Sequence, residues 1–456
     1  MDIELALLEK YNVPVPRYTS YPTVPFWKEE IDIPAWKNNF LRQFQQNNKK
    51  EGISLYLHLP FCEALCTYCG CNKKITTNHS VEEEYIAMIL KEWQMYLQLM
   101  GGEKPIVREL HLGGGTPTFF SPANLKILIE GILEHVNVHK EHEFSLEGHP
   151  NNTTREHLQT LYNLGFRRVS YGVQDNDPEV QRIINRIQPF SNVVMATQLA
   201  REIGYTSVNF DLIYGLPKQT LESIKCTVTE TISLKPDRIA FYCYAHVPWT
   251  SKGQRLFDTQ DLPPANLKLQ LYQLAKHMFL ENGYADIGMD HFALPSDQLY
   301  QCREQGKLHR NFMGYTTQPT KMLIGLGVSS ISDTGNAYAQ NEKKLQHYYD
   351  KINAGELAVV KSCFLTAEDE LFKQHILNIS CRGVTNFQHQ NLSLLETYTS
   401  PKLKVLEQDG LIELDNESVK LTSKGHHFLR NVCSAFDLHL LRASEKQEVN
   451  QFSKAI

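Results

Sequence analysis

From residue 53 the chain alternates between two rhythms, and that alternation constrains its fold more than any other feature. Short apolar runs with strand character occur at 53–59 (ISLYLHL), 107–112 (VRELHL), 143–147 (EFSLE), 167–173 (RRVSYGV), 207–213 (SVNFDLI) and 238–245 (RIAFYCYA). Amphipathic stretches with helical spacing lie between and after them, near 81–99, 122–136, 154–164, 190–203, 220–233 and 264–282. Ser121 followed by Pro122 is a helix-start signal, and Gly165 and Gly204 stand where helices should stop. Strands separated by helices must run parallel, with the helices covering the sheet. Six such units predict an α/β fold, either an open doubly wound sheet or a curved partial barrel. Periodicity does not separate the two.

The flanks read differently. The first 35 residues, rich in Tyr, Thr and Pro (PRYTSYPTVPFW), predict an irregular arm. Residues 336–400 read as mainly helical. A helix at 401–409, a hairpin-like LIELDNESVKLTS and a helix from Gly425 follow, an order resembling a small winged-helix-type unit. Glu407, Asp409, Glu413, Asp415 and Glu417 make a phosphate-facing surface there unfavourable, so it reads as a packing unit. The 456-residue chain carries a net charge of −5, which excludes nucleic-acid binding by bulk charge. No apolar run approaches the ~20 residues of a membrane span, and the opening MDIELALLEK is unlike a signal peptide. A cytoplasmic, reduced protein is expected, without a disulfide framework.

Four of the ten cysteines crowd into Cys62-Glu-Ala-Leu-Cys66-Thr-Tyr-Cys69-Gly-Cys71. Soft thiolates select zinc, copper(I) or an iron–sulfur cluster. Structural zinc usually draws ligand pairs from separated segments, and no second pair lies nearby, so iron–sulfur is favoured over zinc. The other six, Cys226, Cys243, Cys302, Cys363, Cys381 and Cys433, are scattered and read as small buried hydrophobes.

The C-x3-C-x2-C spacing, with an aromatic before the third cysteine, resembles the signature of radical S-adenosylmethionine enzymes. The likeness extends along the chain. Tyr56-x-His58-x-Pro60-Phe61-Cys62, CGCNK (69–73), GGGTPT (113–118), GVQD (172–175), NFDLIYGLPKQT (209–220), YAHVP (244–248), GMDHFA (288–293), HRNFMGYTTQ (309–318) and GVSSIS (327–332) occur in order. PRYTSYPT near the start, and RNVC, FD and QFS near the end, extend it. Together they resemble the bacterial oxygen-independent coproporphyrinogen III oxidase family. The resemblance implies a partial (β/α)6 radical S-adenosylmethionine barrel over 36–335, with an N-terminal arm (1–35) and a mainly helical C-terminal domain (336–456).

It also implies chemistry. Cys62, Cys66 and Cys69 would hold a 4Fe–4S cluster whose remaining iron chelates S-adenosylmethionine. Cys71 would stand beside the active site as a catalytic residue. Gly114, Gly115, Thr116 and Glu147 would border S-adenosylmethionine. Gln174, Arg186, Asp211, Ala245 and Ile331, with Tyr56 and Tyr68, would line the cofactor region, including a second S-adenosylmethionine. His149 stands where the family often has an acidic residue. His58, His246, His291 and His309 read as structural histidines. The implied reaction converts two propionates of coproporphyrinogen III to vinyl groups in porphyrin biosynthesis. It uses a 5′-deoxyadenosyl radical, a flavodoxin- or ferredoxin-like electron donor and an electron acceptor that the sequence does not identify. Arg17, Lys73, Lys74 and Arg310 are the cations in matched motifs available to the substrate's carboxylates. A monomer is implied. The alternatives are a haem chaperone and a haem-degrading methyltransferase of the same superfamily; the chaperone's His-Asn signature is missing.

Overall fold

The computed structural model describes residues 5–29, 31–387, 392–445 and 452–454. The six expected strands form, and we number them β1 (Ile53–Leu59), β2 (Ile106–Gly114), β3 (Asn137–Gly148), β4 (Phe166–Gln174), β5 (Ser207–Tyr214) and β6 (Arg238–Cys243). They lie side by side in chain order and pair in parallel throughout. Because the order never reverses, right-handed crossovers carry every connecting helix to one face. This decides between the two architectures left open by periodicity: the sheet is a curved partial barrel.

The covering helices begin where their sequences start them. Ser121 caps Pro122–Leu133 by accepting from the Asn124 N–H at 3.2 Å. Thr154 and Thr220 cap Arg155–Asn163 and Leu221–Ser233 with reciprocal side-chain bonds. Gly204 ends Phe190–Ile203 at φ 109°, a left-handed turn that a side chain would strain. Leu55, Leu57, Leu110, Leu112, Leu146, Val169, Phe210 and Phe241 are fully buried in one continuous core. Each such side chain contributes roughly 1.5–3 kcal/mol relative to exposure.

The sheet is larger than six strands. Met322–Leu326 lies parallel to β1 on its outer side, so the parallel block has seven strands. Antiparallel strands extend both edges, to Val359–Phe364 on one side and Ala285–Gly288 on the other, giving twelve. Residues 336–400 are mainly helical, with Leu345–Asn353 and Ala367–Arg382 as the longest helices, but Ala337–Asn341 and Val359–Phe364 within them continue the sheet. All five residues of Ala337–Asn341 are buried, which erases the alternation that would mark a strand. The start is not wholly irregular: Leu5–Tyr11 is helical, and Ile33–Glu51 forms a long helix capped by Asp32.

A second core joins the two ends of the chain. Leu7, Leu8 and Tyr11 pack with Phe372, Ile376, Ile379, Val432 and Phe436. Lys10 pairs with Asp409 at 2.6 Å, and Asn431 Nδ2 donates to the Tyr11 carbonyl at 2.9 Å. The expected hairpin appears as Ile412–Leu414 and Ser418–Leu421, with Val384–Asn386 on its other side. No helix among the described residues is long and apolar enough to cross a membrane.

Candidate active site

The C-terminal ends of β1 to β6 converge on one cavity, as parallel sheets favour. Immediately after β1 the cysteine segment leaves the sheet as a loop pinched at its base. Phe61–Cys62 pairs with Lys74–Ile75, the Lys74 N–H donates to Pro60 O at 2.8 Å, and the Thr76 N–H donates to Cys62 O at 2.9 Å. Neighbours pin its outer turn. The Thr67 N–H donates to Ile184 O, Asn185 Nδ2 to Leu65 O, Gln254 Nε2 to Tyr68 O and Ser251 Oγ to Cys69 O, all at 2.8–3.1 Å.

The glycine run after β2 lies against the start of this loop. The Gly115 N–H donates to Leu59 O at 2.8 Å and the Thr116 N–H to Phe61 O at 3.0 Å. A side chain at Gly115 would stand 2.6 Å from the Pro60 carbonyl, so only glycine permits the approach. Gly114 has φ 118°, and its N–H donates to Glu147 Oε2 at 3.2 Å. The Thr116 hydroxyl donates to Cys62 Sγ at 3.3 Å.

Cys62, Cys66, Cys69, Cys71, Tyr68, Gly114, Gly115, Thr116, Glu147, Gln174, Arg186 and Asp211 all line this cavity, which has a volume of about 380 Å³. A second cavity of about 290 Å³ shares Cys71, Gly114 and Glu147 with it and adds Tyr56 and Ile331. Of the residues expected around the cofactors, Ala245 lines neither; its carbonyl accepts from Gln254 Nε2 at 3.1 Å, and β6 stops two residues earlier at Cys243. Among the described residues, no three His, Cys, Asp or Glu side chains already converge as metal ligands. The thiols instead face a common space.

Electrostatics divide the lining groups. Burial opposes ionisation of Glu147, but the hydrogen bond and charge of His111 and the Gly114 N–H outweigh it and hold this carboxyl below its usual range. Asp211 goes the other way, to about 6, because burial and the Glu147 charge outweigh bonds from Ser170 and Asn209. Two carboxyls in one cavity thus differ in protonation tendency. The Cys71 thiol and Lys73 stabilise the Cys69 thiolate, lowering its pKa to about 6, whereas burial pushes Cys62 to about 11. Arg186 donates to Cys66 Sγ at 3.6 Å and to the Gly172 carbonyl, while its Nε is buried without a partner. Gln174 reaches the cavity from a left-handed backbone, φ 67°. His149 lines the cavity as a neutral ring, its pKa pushed to about 2 by burial and Arg186.

Sequence reasoning passed over Tyr242, which lines the larger cavity, and Phe312 and Met313, which line the smaller. It also passed over His111, which donates towards Glu147 at 3.5 Å and bonds Ser145 at 2.8 Å. His111 had a usable signal, because it lies two residues before the glycine run on the same strand. His58 is more than a filler: its ring bonds Asn72 O at 2.9 Å and the Tyr56 hydroxyl at 3.0 Å. If Nε2 carries the proton to Asn72, Nδ1 accepts from Tyr56.

Residues 56–229 match the model of the radical SAM superfamily. Oxygen-independent coproporphyrinogen III oxidase of Escherichia coli (strain K12) is 38% identical over 463 aligned positions, covering 100% of this chain and 99% of the relative. The Pseudomonas aeruginosa protein of that name is 38% identical, covering 95% of each chain. The Synechocystis protein is 36% identical, covering 100% and 98%. The solved structure of Escherichia coli coproporphyrinogen III oxidase (HemN), described as a radical SAM enzyme, superposes with a TM-score of 0.88 at 37% identity, covering 96% of this chain and 99% of that one.

Proposed function

The chain belongs to the oxygen-independent coproporphyrinogen III oxidase family of radical S-adenosylmethionine enzymes, and from that membership we infer that it converts coproporphyrinogen III to protoporphyrinogen IX in porphyrin biosynthesis. Two propionates become vinyl groups. Each loses carbon dioxide, a hydrogen atom from its β-carbon and one electron, which an external acceptor takes. The observation that carries this reading is the gathering of the cysteine loop, the glycine run, Glu147 and Asp211 in one cavity at the strand ends.

The protein uses S-adenosylmethionine and a 4Fe–4S cluster. Three features of the cavity fit them. A soft thiol set faces the space, a backbone edge at Gly114–Gly115 admits close approach, and Arg186 Nε is a buried donor lacking an acceptor. In our reading Cys62, Cys66 and Cys69 ligate the cluster. Gly114, Gly115, Thr116 and Glu147 hold the S-adenosylmethionine bound to it. Gln174, Arg186 and Asp211 hold a second molecule, with Ala245 and Ile331 at its margins. When bound, the cluster and S-adenosylmethionine supply a 5′-deoxyadenosyl radical, which can take hydrogen from an unactivated C–H bond where acid–base chemistry cannot.

The chain's residues position and shield. Glu147, kept ionised by His111, offers a carboxylate to a cationic amino group. Arg186 offers its guanidinium to a carboxylate. Tyr56, His58 and Cys71 line the smaller cavity and Cys71 is shared with the larger, where hydrogen transfer would need the reactants held close and water kept out. Reduction of the cluster would come from a flavodoxin- or ferredoxin-like protein. The ten free cysteines suit a reducing cytoplasm, where we expect the protein to act as a monomer.

The test is anaerobic. The reconstituted protein with reductant, S-adenosylmethionine and coproporphyrinogen III should yield the divinyl product together with 5′-deoxyadenosine. A reconstituted protein that cleaves S-adenosylmethionine and leaves coproporphyrinogen unchanged would refute the assignment.

A further inference from the structure

Beyond Tyr242, the interior holds two guanidiniums, of Arg310 and Arg17, for which no ion pair is found among the described residues. Arg310, on the short strand His309–Asn311, is 8% exposed. Its Nη2 donates to the Arg17 carbonyl at 3.4 Å, and its guanidinium lies 4.8 Å over the Tyr315 ring. Its Nε and Nη1 are sealed from solvent and have no acceptor. Asn311, also 8% exposed, repeats the pattern. Its Oδ1 accepts from the Met313 N–H at 2.9 Å, which fixes the amide orientation and leaves Nδ2 buried and unpaired. Arg17 brings a second guanidinium, donating to Cys243 O at 2.7 Å and lying 5.8 Å over the Tyr242 ring. Tyr242 lines the larger cavity, and Phe312 and Met313, next along the chain from Asn311, line the smaller.

Three orphaned donors on adjacent residues have surrendered water without receiving an acceptor, and a charged donor forfeits most. Asp290 faces Arg17, Arg430 and Arg310, with Asp286 as a second carboxyl within reach of it, so guanidiniums outnumber carboxyls here. A planar anionic acceptor meets this set of donors. We propose that Arg310 and Asn311, backed by Arg17, seat a propionate carboxylate of the substrate and so select a carboxylated tetrapyrrole over an uncharged one. This rests on the coproporphyrinogen reading above. The seat orients the ring through a side chain, whereas the groups at the cysteine loop act on the cofactor.

The test uses the anaerobically reconstituted full chain and two fluorescent probes, coproporphyrin III and its tetramethyl ester, titrated by fluorescence. The wild type should bind the acid about tenfold or more tighter than the ester. Arg310→Gln should weaken the acid by about tenfold or more and leave the ester unchanged, with Arg310→Lys recovering part of the loss. Asn311→Asp keeps the acceptor for Met313 and puts a negative charge at the seat, so it should act like Arg310→Gln; it serves if Arg310→Gln fails to fold. Acid binding unchanged in these variants would overturn the proposal. So would an equal loss for acid and ester, which would mean that the residues shape the cavity without reading a carboxylate. Failure of the enzymatic reading is separate: it would appear as wild-type protein with a full cluster and no divinyl product, whatever the binding data.

Discussion

At the scale of the residue, the four clustered cysteines should part ways on substitution. Cys62→Ser, Cys66→Ser or Cys69→Ser should reduce iron and sulfide content to background and lower divinyl product by about a hundredfold or more. Cys71→Ser should retain the iron, because in our reading it does not ligate, and still lose turnover. Iron analysis beside product analysis checks both, and full iron in Cys66→Ser would refute the ligand assignment. Glu92 poses a different question. It is buried in the barrel wall, accepting from the Gly327 N–H at 2.8 Å, Asn341 Nδ2 at 2.6 Å and the Tyr348 hydroxyl at 2.7 Å. Burial nevertheless outweighs these bonds and raises it from 4.5 to about 7. A carboxyl raised by folding binds its proton more tightly in the native state than in the unfolded chain. Between about pH 4.5 and 7 the native state therefore holds more protons, and each rise in pH costs stability, about 3 kcal/mol in all. Glu92→Gln cannot ionise. The difference in Tm between wild type and variant should shift by a few degrees against the wild type from pH 5 to pH 8. Parallel curves would sink the idea.

At the scale of the element, the loop and glycine run act as one unit. Gly115→Ala would drive its new carbon into the Pro60 carbonyl and displace the segment that leads to Cys62. We expect lower iron loading and about tenfold or more weaker S-adenosylmethionine binding, measured by iron analysis and equilibrium dialysis. Unchanged loading would mean that the loop tolerates the shift. The same scale shows what the sequence made legible. The helices Val81–Leu99 and Phe190–Ile203 fall where their periodicity places them, because each shows one apolar face to the core. Ile33–Glu51 was hidden by polarity: Asn39, Asn47 and Asn48 are buried by hydrogen bonding, and composition reads them as surface. Met322–Leu326 was hidden by the opposite effect, a short wholly buried run that the local pattern cannot tell from a helix fragment. The cavity's lining was readable chiefly through the family resemblance, with Gly114, Glu147 and Gln174 also standing out at the ends of their strands. Tyr242 and Asn311 were not, and Arg310 only as one of four cations in matched motifs, because their surroundings arise only when the arm folds back across the sheet.

At the scale of the molecule, the arm belongs to two places. Its helix Leu5–Tyr11 sits in the second core with the C-terminal elements, while Arg17 reaches β6. Deleting residues 1–25 should lower coproporphyrinogen turnover while leaving iron content intact. It should also speed amide hydrogen exchange in Ala367–Arg382 and Leu429–Ser434 more than in β1 to β6. Unchanged turnover would remove the arm from the active site, and uniform exchange would mean that one cooperative unit spans both cores.

The sheet's two outer strands, Val359–Phe364 and Ala285–Gly288, never meet. Lys28 touches one margin through a single bridge, its carbonyl accepting from the Ser362 N–H at 3.3 Å. A closed cylinder can widen only by breaking a ladder of hydrogen bonds, whereas a split ring can spring. The curvature of this sheet can therefore change with all eleven of its strand-to-strand ladders still paired.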